Sequence, residues 1–292
     1  MGGATQELSQ KVGQRYGWSI VFDTNDDGYW YVDVVVGLHD KRHFVSQDCS
    51  PPTKDGIKQG KAAAATVALD GLRTLIEQQE AKPAMELSQV FTTEIPIYES
   101  NDETWKRFWN DPPTVVGVDT EGNQISPPVL AQIATENYVI LEIPRQGKLS
   151  DNLLRLLADD TIVKVFADNF SHHDKKSLGL LPIPENLTSG PIVDLESMAQ
   201  IALGPSTVAR GLSRIVSLVM PELNVRVEKP ARKNAKARFV NIGRYTLIEQ
   251  GKAPPLRSTA ELSKKEQRYA ALDAWCTLQA FGRLQGALVV PA

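Results

Sequence analysis

Hydrophobic positions recur with two different periods in the first 80 residues of the chain. They follow helical spacing near the start and again in an alanine-rich stretch, and between these they alternate at strand spacing. The predicted elements, in chain order, are a helix at 6–16, strands at 18–23, 29–38 and 42–49, and a helix at 53–79. This α-β-β-β-α order predicts a small domain at residues 1–80.

A linker is predicted at residues 81–91. There the helix rich in alanine and glutamine gives way to Ala81-Lys82-Pro83-Ala84 and then to a new apolar strand pattern. We therefore place a second domain at residues 92–292. Composition agrees with two folded domains, since 42% of the 292 residues are hydrophobic and the net charge is only -3.

A buried strand with acidic residues at its end is predicted at 115–121. Four residues, Val115 to Val118, are apolar or glycine, and Asp119 and Glu121 follow with one residue between them. Residues two apart on a strand point to the same side, so two carboxylates share a small volume. They would repel each other unless a divalent cation binds both, and oxygen ligands suit magnesium or manganese. Taken alone, the pattern also fits a solvated strand end with two incidental acids.

A helix is predicted to begin near Ser263, because Ser263 and Glu266 have the spacing of a capping box and an alanine-rich helical pattern follows. On this helix Tyr269 and Asp273 are four residues apart and lie on the same face. Taken alone, this pair also fits a tyrosine at the edge of a core beside a surface charge.

In combination, these patterns resemble one family. Val-x-Asp-x-Glu on a strand, an aspartate after a middle strand and Tyr-x-x-x-Asp on a late helix resemble the DEDDy family of 3′-to-5′ exonucleases, which includes ribonuclease D and the Werner-type exonucleases. The resemblance covers residues 92–286, and the stretches 129–135, 138–143 and 191–195 are similar to further strands of that family. It implies an α/β domain of the ribonuclease-H-like class, with a mixed five-stranded sheet flanked by helices.

The middle aspartate of the motif has two candidates, Asp168 and Asp174, after a strand at 163–167. In the family this aspartate opens a helix and an apolar residue follows four positions later. The residue four positions after Asp174 is the apolar Leu178, whereas the residue four positions after Asp168 is His172. We assign Asp174, which makes the loop slightly longer than in ribonuclease D, and Asp168 stays the alternative.

The resemblance implies hydrolysis of a phosphodiester with two Mg²⁺ or Mn²⁺ ions about 4 Å apart. By the same resemblance, Asp119 binds both ions, Glu121 and Asp273 complete the site that activates water, and Asp174 holds the second ion. Tyr269 orients the attacking water, and a phenol with an ordinary pKa near 10 suits this role better than that of a base. The substrate implied is RNA or DNA with a free 3′ end.

Residues 1–80 resemble a double-stranded RNA-binding domain in their element order and in the lysines that open the last helix. In that family such lysines contact phosphates, and Lys58 and Lys61 are the candidates here. Gln59 and Gly60 stand where basic or helix-favouring residues are expected. Residues 1–80 carry eight Lys and Arg against eleven Asp and Glu, a weak charge pattern for a phosphate binder. RNA binding, protein contacts and self-association all stay open for this domain.

A basic segment at residues 226–238 holds six basic residues and one acidic residue. In related exonucleases this stretch approaches the active cleft, which implies a role in steering the nucleic-acid strand. The alternative is a solvated charged loop. The candidates for nucleic-acid contact are Arg232, Lys233, Lys236 and Arg238.

Cysteine usage and the chain start favour an intracellular protein. Cys49 and Cys276 are far apart in sequence, which argues against a disulfide framework and favours a reducing compartment. No signal peptide or membrane-spanning run is visible. The sequence therefore predicts a metal-dependent 3′-to-5′ exonuclease, with RNA favoured over DNA because of the first domain. The alternative is a non-catalytic nucleic-acid adaptor or scaffold with the same fold, and the four filled acidic positions favour the enzyme.

Overall fold

The computed structural model describes the residues 3–13, 18–36, 40–49, 53–81, 95–122, 127–167, 178, 191–203, 211–220 and 242–289. The chain forms two compact units. One comprises residues 1–90, 199–229 and 283–292, and the other comprises residues 91–198 and 230–282. The predicted domain limits of 1–80 and 92–292 stay a prediction, and the first unit also includes two later segments.

The N-terminal residues adopt the predicted α-β-β-β-α order. The elements are α1 (Ala4–Gln6) with a π-helical continuation (Glu7–Gly13), β1 (Ser19–Thr24), β2 (Tyr29–Val36), β3 (Asp40–Cys49), α2 (Lys54–Gly71) and α3 (Arg73–Ala81). The three strands form an antiparallel sheet in the order β1-β2-β3. The single helix predicted at 53–79 is two helices, because α2 ends at Gly71 and α3 begins at Arg73, with Leu72 as the C-cap residue between them.

Alanines on α2 bring this helix close to the sheet. Ala64 and Ala68 have no exposed surface and pack in one cluster with Val32 and Val34 of β2 and with Trp18. Small side chains on the helix leave room for large ones from the sheet, so the helix and the sheet can pack closely. This packing accounts for the alanine-rich composition of the second helical pattern.

The second unit is built on a six-stranded mixed sheet. Its strands are β4 (Ile97–Glu99), β5 (Val115–Glu121), β6 (Leu130–Ala134), β7 (Val139–Glu142), β8 (Val163–Phe166) and β9 (Ile192–Asp194). The order is β4-β7-β6-β5-β8-β9, and β6 runs antiparallel to both neighbours while the other pairs are parallel.

Five adjacent strands of this sheet, in the spatial order β7-β6-β5-β8-β9, have the order and directions of a ribonuclease-H-like sheet. This arrangement confirms the predicted fold class. The predicted number of five strands is wrong by one. The additional strand, β4, pairs with β7 at the edge of the sheet and has only three residues. Three residues are too few to show a strand period in the sequence.

Helices cover both faces of this sheet. The described helices after β4 are α4 (Asp102–Asn110), α5 (Asp151–Ala158), α6 (Leu195–Leu203), α7 (Leu212–Val219), α8 (Ile242–Glu249) and α9 (Lys264–Val289). Residues of α4 and α5 pack on one face of the sheet, and residues of α8 and α9 pack on the other. Among the described helices, none combines the length and the apolar character needed to span a membrane.

Candidate metal centre

Strand β5 points its acidic residues to the face of the sheet that α9 covers. Val116 and Val118 are buried in the core beneath α4 and α5. Side chains alternate along a strand, so Gly117, Asp119 and Glu121 face the other way. The valines therefore anchor the strand in the core, and the two carboxylates come to lie beneath α9.

Gly117 allows the backbone of α9 to approach β5. A Cβ atom at Gly117 would lie only 2.2 Å from the carbonyl oxygen of Ala274 and 3.0 Å from the backbone nitrogen of Leu278. No other residue type fits at such distances unless the helix shifts. Asp273 precedes Ala274 in the helix, so this contact brings Asp273 to the acidic end of β5. This role of Gly117 was not predicted from the sequence, although a glycine inside a valine-rich strand is a signal of close backbone approach.

The beginning of α9 is set by the predicted capping box. The Ser263 N–H donates to the Glu266 carboxylate over 2.8 Å, and the Glu266 N–H donates to the Ser263 hydroxyl over 3.2 Å. Gln267 adds two side-chain bonds to the preceding turn, to the carbonyl oxygens of Thr259 (2.8 Å) and Leu262 (3.1 Å). These contacts fix the register of the helix and therefore the positions of Tyr269 and Asp273.

Three carboxylates converge at the contact between β5 and α9. Asp119, Glu121 and Asp273 each offer one carboxylate oxygen, and these three atoms lie within 4.8 Å of one another. All three residues are half-buried. Negative charges this close repel strongly in a partly desolvated site, and a bound cation offsets the repulsion. Carboxylate oxygens are the ligands that Mg²⁺ and Mn²⁺ prefer, so the donor set fits such an ion.

The Tyr269 hydroxyl is a hydrogen-bond donor at this site. The pKa of Tyr269 is raised well above its ordinary value of 10, mainly by the charge of Asp273 and then by burial and by the charges of Glu121 and Asp119. A hydrogen bond between the phenol and the Asp273 carboxylate adds to the shift. Tyr269 therefore keeps its proton at neutral pH. This state suits a residue that orients a water molecule and does not suit a general base.

Several predicted site residues lie outside the described part of the chain. These are the two candidates for the middle aspartate and the basic residues of the late segment, namely Asp174, Asp168, Arg232, Lys233, Lys236 and Arg238. Leu178 is described, and its side chain is 4% exposed in the core beneath α4 and α5. The assignment of Asp174 stays a prediction.

The two predicted lysines of the N-terminal domain differ in their surroundings. Lys58 is exposed on α2. Lys61 is half-buried, and its Nζ atom lies 5.1 Å from the ring centroid of Trp30 and 6.0 Å from that of Phe22. Lys61 therefore makes cation–π contacts within its own domain. Their nucleic-acid contacts and the resemblance to a double-stranded RNA-binding domain stay predictions.

Comparisons with known proteins yield structural likenesses at low identity. No protein-family model and no curated protein matches the chain. One similar solved structure is described as the apo form of a nuclease, with 17% identity, a TM-score of 0.45, and coverage of 68% of this chain and 83% of that one. Another is the EXO domain of Aedes aegypti Nibbler, with 17% identity, a TM-score of 0.42, and coverage of 67% and 90%.

A third is Escherichia coli RNase D, described as an exoribonuclease involved in structured RNA processing. It has 17% identity and a TM-score of 0.44, and the match covers 67% of this chain and 45% of that one. These likenesses concern the fold.

Proposed function

We propose that the protein hydrolyses phosphodiester bonds of nucleic acid from the 3′ end, with Mg²⁺ or Mn²⁺ as cofactor and with RNA preferred over DNA. The observation that carries the proposal is the convergence of Asp119, Glu121 and Asp273 within 4.8 Å, since Asp273 lies more than 150 residues after the two strand residues and on a different element. A protonated tyrosine that bonds to one of these carboxylates completes the group. The 3′-to-5′ direction rests on the resemblance to the exonuclease family, and the preference for RNA rests on the resemblance of the N-terminal domain to a double-stranded RNA-binding domain.

Each described residue of the centre has a distinct task in this reaction. Two bound divalent cations would lower the pKa of the attacking water and offset the charge on the leaving oxygen. Asp119, Glu121 and Asp273 hold the cations by their carboxylate oxygens, and Asp174 is proposed as a further ligand. Tyr269 keeps its phenolic proton because its neighbouring carboxylates disfavour ionisation, and it donates that proton to Asp273. Its phenolic oxygen accepts a hydrogen bond from the attacking water and orients it.

Hydrolysis is favoured over a purely binding role because the acidic cluster carries a cost. Three close carboxylates destabilise a folded protein that holds no cation. An adaptor has no use for such a cluster, whereas a metal-dependent hydrolase requires it. The non-catalytic adaptor is therefore the alternative outcome of the test below.

The test incubates the protein with RNA or DNA, single-stranded or duplex, that carries a label at its 3′ end or at its 5′ end. Each substrate is followed in the presence of Mn²⁺, Mg²⁺ or EDTA. We expect progressive shortening from the 3′ end that requires the cation and is abolished by Asp119→Ala. We expect Tyr269→Phe to lower the rate by about 100-fold, because it removes a hydrogen-bond donor without changing charge. Asp111→Asn is the matched control, since it neutralises an exposed carboxylate of the same unit outside the cluster.

Retention of intact strands, with or without a cation, would favour the adaptor. Loss of label from the 5′ end first would contradict the proposed direction. The middle ligand is tested in the same assay, where Asp174→Ala is expected to abolish cleavage and Asp168→Ala to leave it active. The reverse result would assign Asp168.

A further inference from the structure

A buried glutamine lies beside the acidic cluster without hydrogen-bond partners. Gln132 of β6 has 0% of its surface exposed, and neither its Oε1 nor its Nε2 atom bonds to any group of the described chain. A buried amide with no partner destabilises the folded state, because its hydrogen bonds to water are lost on folding and not replaced. Such a group in a folded protein requires an explanation, such as a ligand that is not present.

The strand register places Gln132 directly opposite Asp119. Strands β5 and β6 are antiparallel, and Asp119 pairs with Gln132 as Gly117 pairs with Ala134. Directly opposed residues of an antiparallel pair project to the same face, with Cβ atoms about 5 Å apart. The amide of Gln132 therefore lies on the face of the sheet that carries the acidic cluster.

The other sheet neighbours of Gln132 on this face are apolar. Leu130 and Ala134 lie two residues away on β6, and Leu141 is its partner on β7. All three belong to the apolar cluster beneath α9. Packing alone would be satisfied at this position by leucine or methionine, which leave no polar atom buried. Among these sheet neighbours, Asp119 is the one with a polar side chain.

We propose that Gln132 is a positioning residue of the metal centre, whose Nε2 donates a hydrogen bond to the Asp119 carboxylate when the centre holds a cation. This inference rests on the proposed function, since it assumes a cation at the cluster. The bond fixes the orientation of Asp119 and leaves one carboxylate oxygen directed to the ion.

A neutral amide suits this task better than a charged donor. A lysine or arginine at the same position would bring a positive charge next to the carboxylates and compete with the divalent ion. Gln132 supplies a donor while leaving the negative charge of Asp119 for the cation. Outer-shell partners of this kind orient the ligands of metal sites, and their loss lowers metal affinity by about 10-fold to 100-fold.

The test replaces Gln132 by methionine, which has a similar length and no hydrogen-bonding amide. The 292-residue chain is titrated with Mn²⁺ alone and the free ion is followed by electron paramagnetic resonance, while thermal unfolding is recorded in EDTA. We expect Gln132→Met to weaken Mn²⁺ binding by about 10-fold or more. We also expect the melting temperature in EDTA to stay equal or rise, because a buried amide without partners has been removed.

A residue that only fills space predicts the opposite pair of results, namely a lower melting temperature and unchanged Mn²⁺ affinity, and that pair would overturn the inference. Ile133→Val is the matched control, because Ile133 is the next residue of β6 and is buried on the opposite face. It is expected to lower the melting temperature and leave Mn²⁺ binding unchanged. Equal weakening of Mn²⁺ binding in both variants would also overturn the inference. Gln132→Leu provides the same comparison if the methionine variant does not fold.

Failure of the proposed function is distinguishable in the same titration. Asp119→Ala is expected to abolish the Mn²⁺ site of the wild-type protein. Wild-type protein that binds no Mn²⁺, or binds it independently of Asp119, would contradict the metal centre itself. Wild-type binding that depends on Asp119 and is unchanged by Gln132→Met would contradict only the role of Gln132.

Discussion

Asp119, Glu121 and Asp273 place three carboxylates within 4.8 Å of one another in half-buried positions. Without a cation this arrangement lowers the stability of the fold, because like charges interact more strongly where water is partly excluded. The neighbouring Tyr269 responds to the same field, and its pKa rises for that reason. The centre therefore contributes to stability only when a cation is bound, so the free energy of unfolding reports on the site without any substrate.

Neutralising one of the three acids is expected to stabilise the cation-free protein. In EDTA, Asp119→Asn should raise the free energy of unfolding by roughly 1–3 kcal/mol, because it removes a repulsive charge from the cluster. Urea unfolding measures the difference. In Mn²⁺ at 100 times its dissociation constant, the wild-type protein should gain about 2.7 kcal/mol and the variant much less. A loss of stability for Asp119→Asn in EDTA would argue against mutual repulsion at the cluster.

At the scale of elements, the parts of the site with local signals could be predicted from the sequence. The capping box at Ser263 and Glu266 predicts the beginning of α9, and the structure shows both of its hydrogen bonds. The valine run predicts β5, because a strand that is buried on both faces shows a continuous apolar pattern. These signals depend on residues close in sequence, so no knowledge of tertiary packing is needed to interpret them.

Tertiary contacts account for what the sequence analysis missed. The edge strand β4 is too short to show a period, and it forms because its backbone pairs with β7. The role of Gly117 depends on a helix that follows more than 140 residues later, and the position of Gln132 depends on the register of β6 against β5. Neither partner can be identified from residues adjacent in sequence.

The contact between β5 and α9 yields a prediction about Gly117. Gly117→Ala places a methyl group 2.2 Å from a backbone oxygen of α9, so the helix must shift. We expect a loss of roughly 1–3 kcal/mol in the free energy of unfolding, typical of overpacking, together with weaker Mn²⁺ binding because Asp273 moves with the helix.

Gly282→Ala on the same helix is the matched control, because nothing lies within 4 Å of a Cβ atom at that position. It should raise the free energy of unfolding by roughly 0.5–1 kcal/mol through helix propensity and leave Mn²⁺ binding unchanged. Equal effects of the two substitutions on Mn²⁺ binding would show that close approach at Gly117 does not position Asp273.

Strand β8 carries a buried lysine that makes the stability of the fold depend on pH. Lys164 is 1% exposed, its Nζ donates to the backbone oxygen of Asp159, and burial lowers the pKa of its ammonium group below the ordinary value of 10.5. The unfolded chain therefore binds this proton more tightly than the folded protein does. Because of this linkage, the stability of the folded state rises as pH increases toward 10.5.

Lys164→Met removes this dependence and keeps the volume of the side chain. We expect the free energy of unfolding of the wild-type protein to rise relative to that of Lys164→Met between pH 7 and pH 10, as measured by urea unfolding at several pH values. A constant difference between the two proteins over this range would show that the lysine titrates normally in the folded state.

At the scale of the whole molecule, the charge of the N-terminal domain bears on whether it can bind RNA. Residues 1–80 have more acidic than basic residues, and one of the two predicted phosphate-binding lysines, Lys61, lies over the rings of Trp30 and Phe22. Gly60 packs against the same tryptophan, since a Cβ atom there would lie 2.0 Å from the Trp30 side chain. Lys58 is exposed on the same helix and is the better candidate for a phosphate contact.

RNA binding by this domain predicts a specific salt dependence. In the 292-residue chain carrying Asp119→Ala, we expect Lys58→Ala to weaken binding of duplex RNA and to reduce the slope of log affinity against log salt by about 1, because one phosphate contact is lost. Fluorescence anisotropy at several salt concentrations measures both. Lys106→Ala, an exposed lysine of α4, is the control and should change neither quantity. If Lys58→Ala also leaves the affinity and the salt slope unchanged, the domain does not bind duplex RNA through Lys58. A protein contact then becomes the better explanation of the role of this domain.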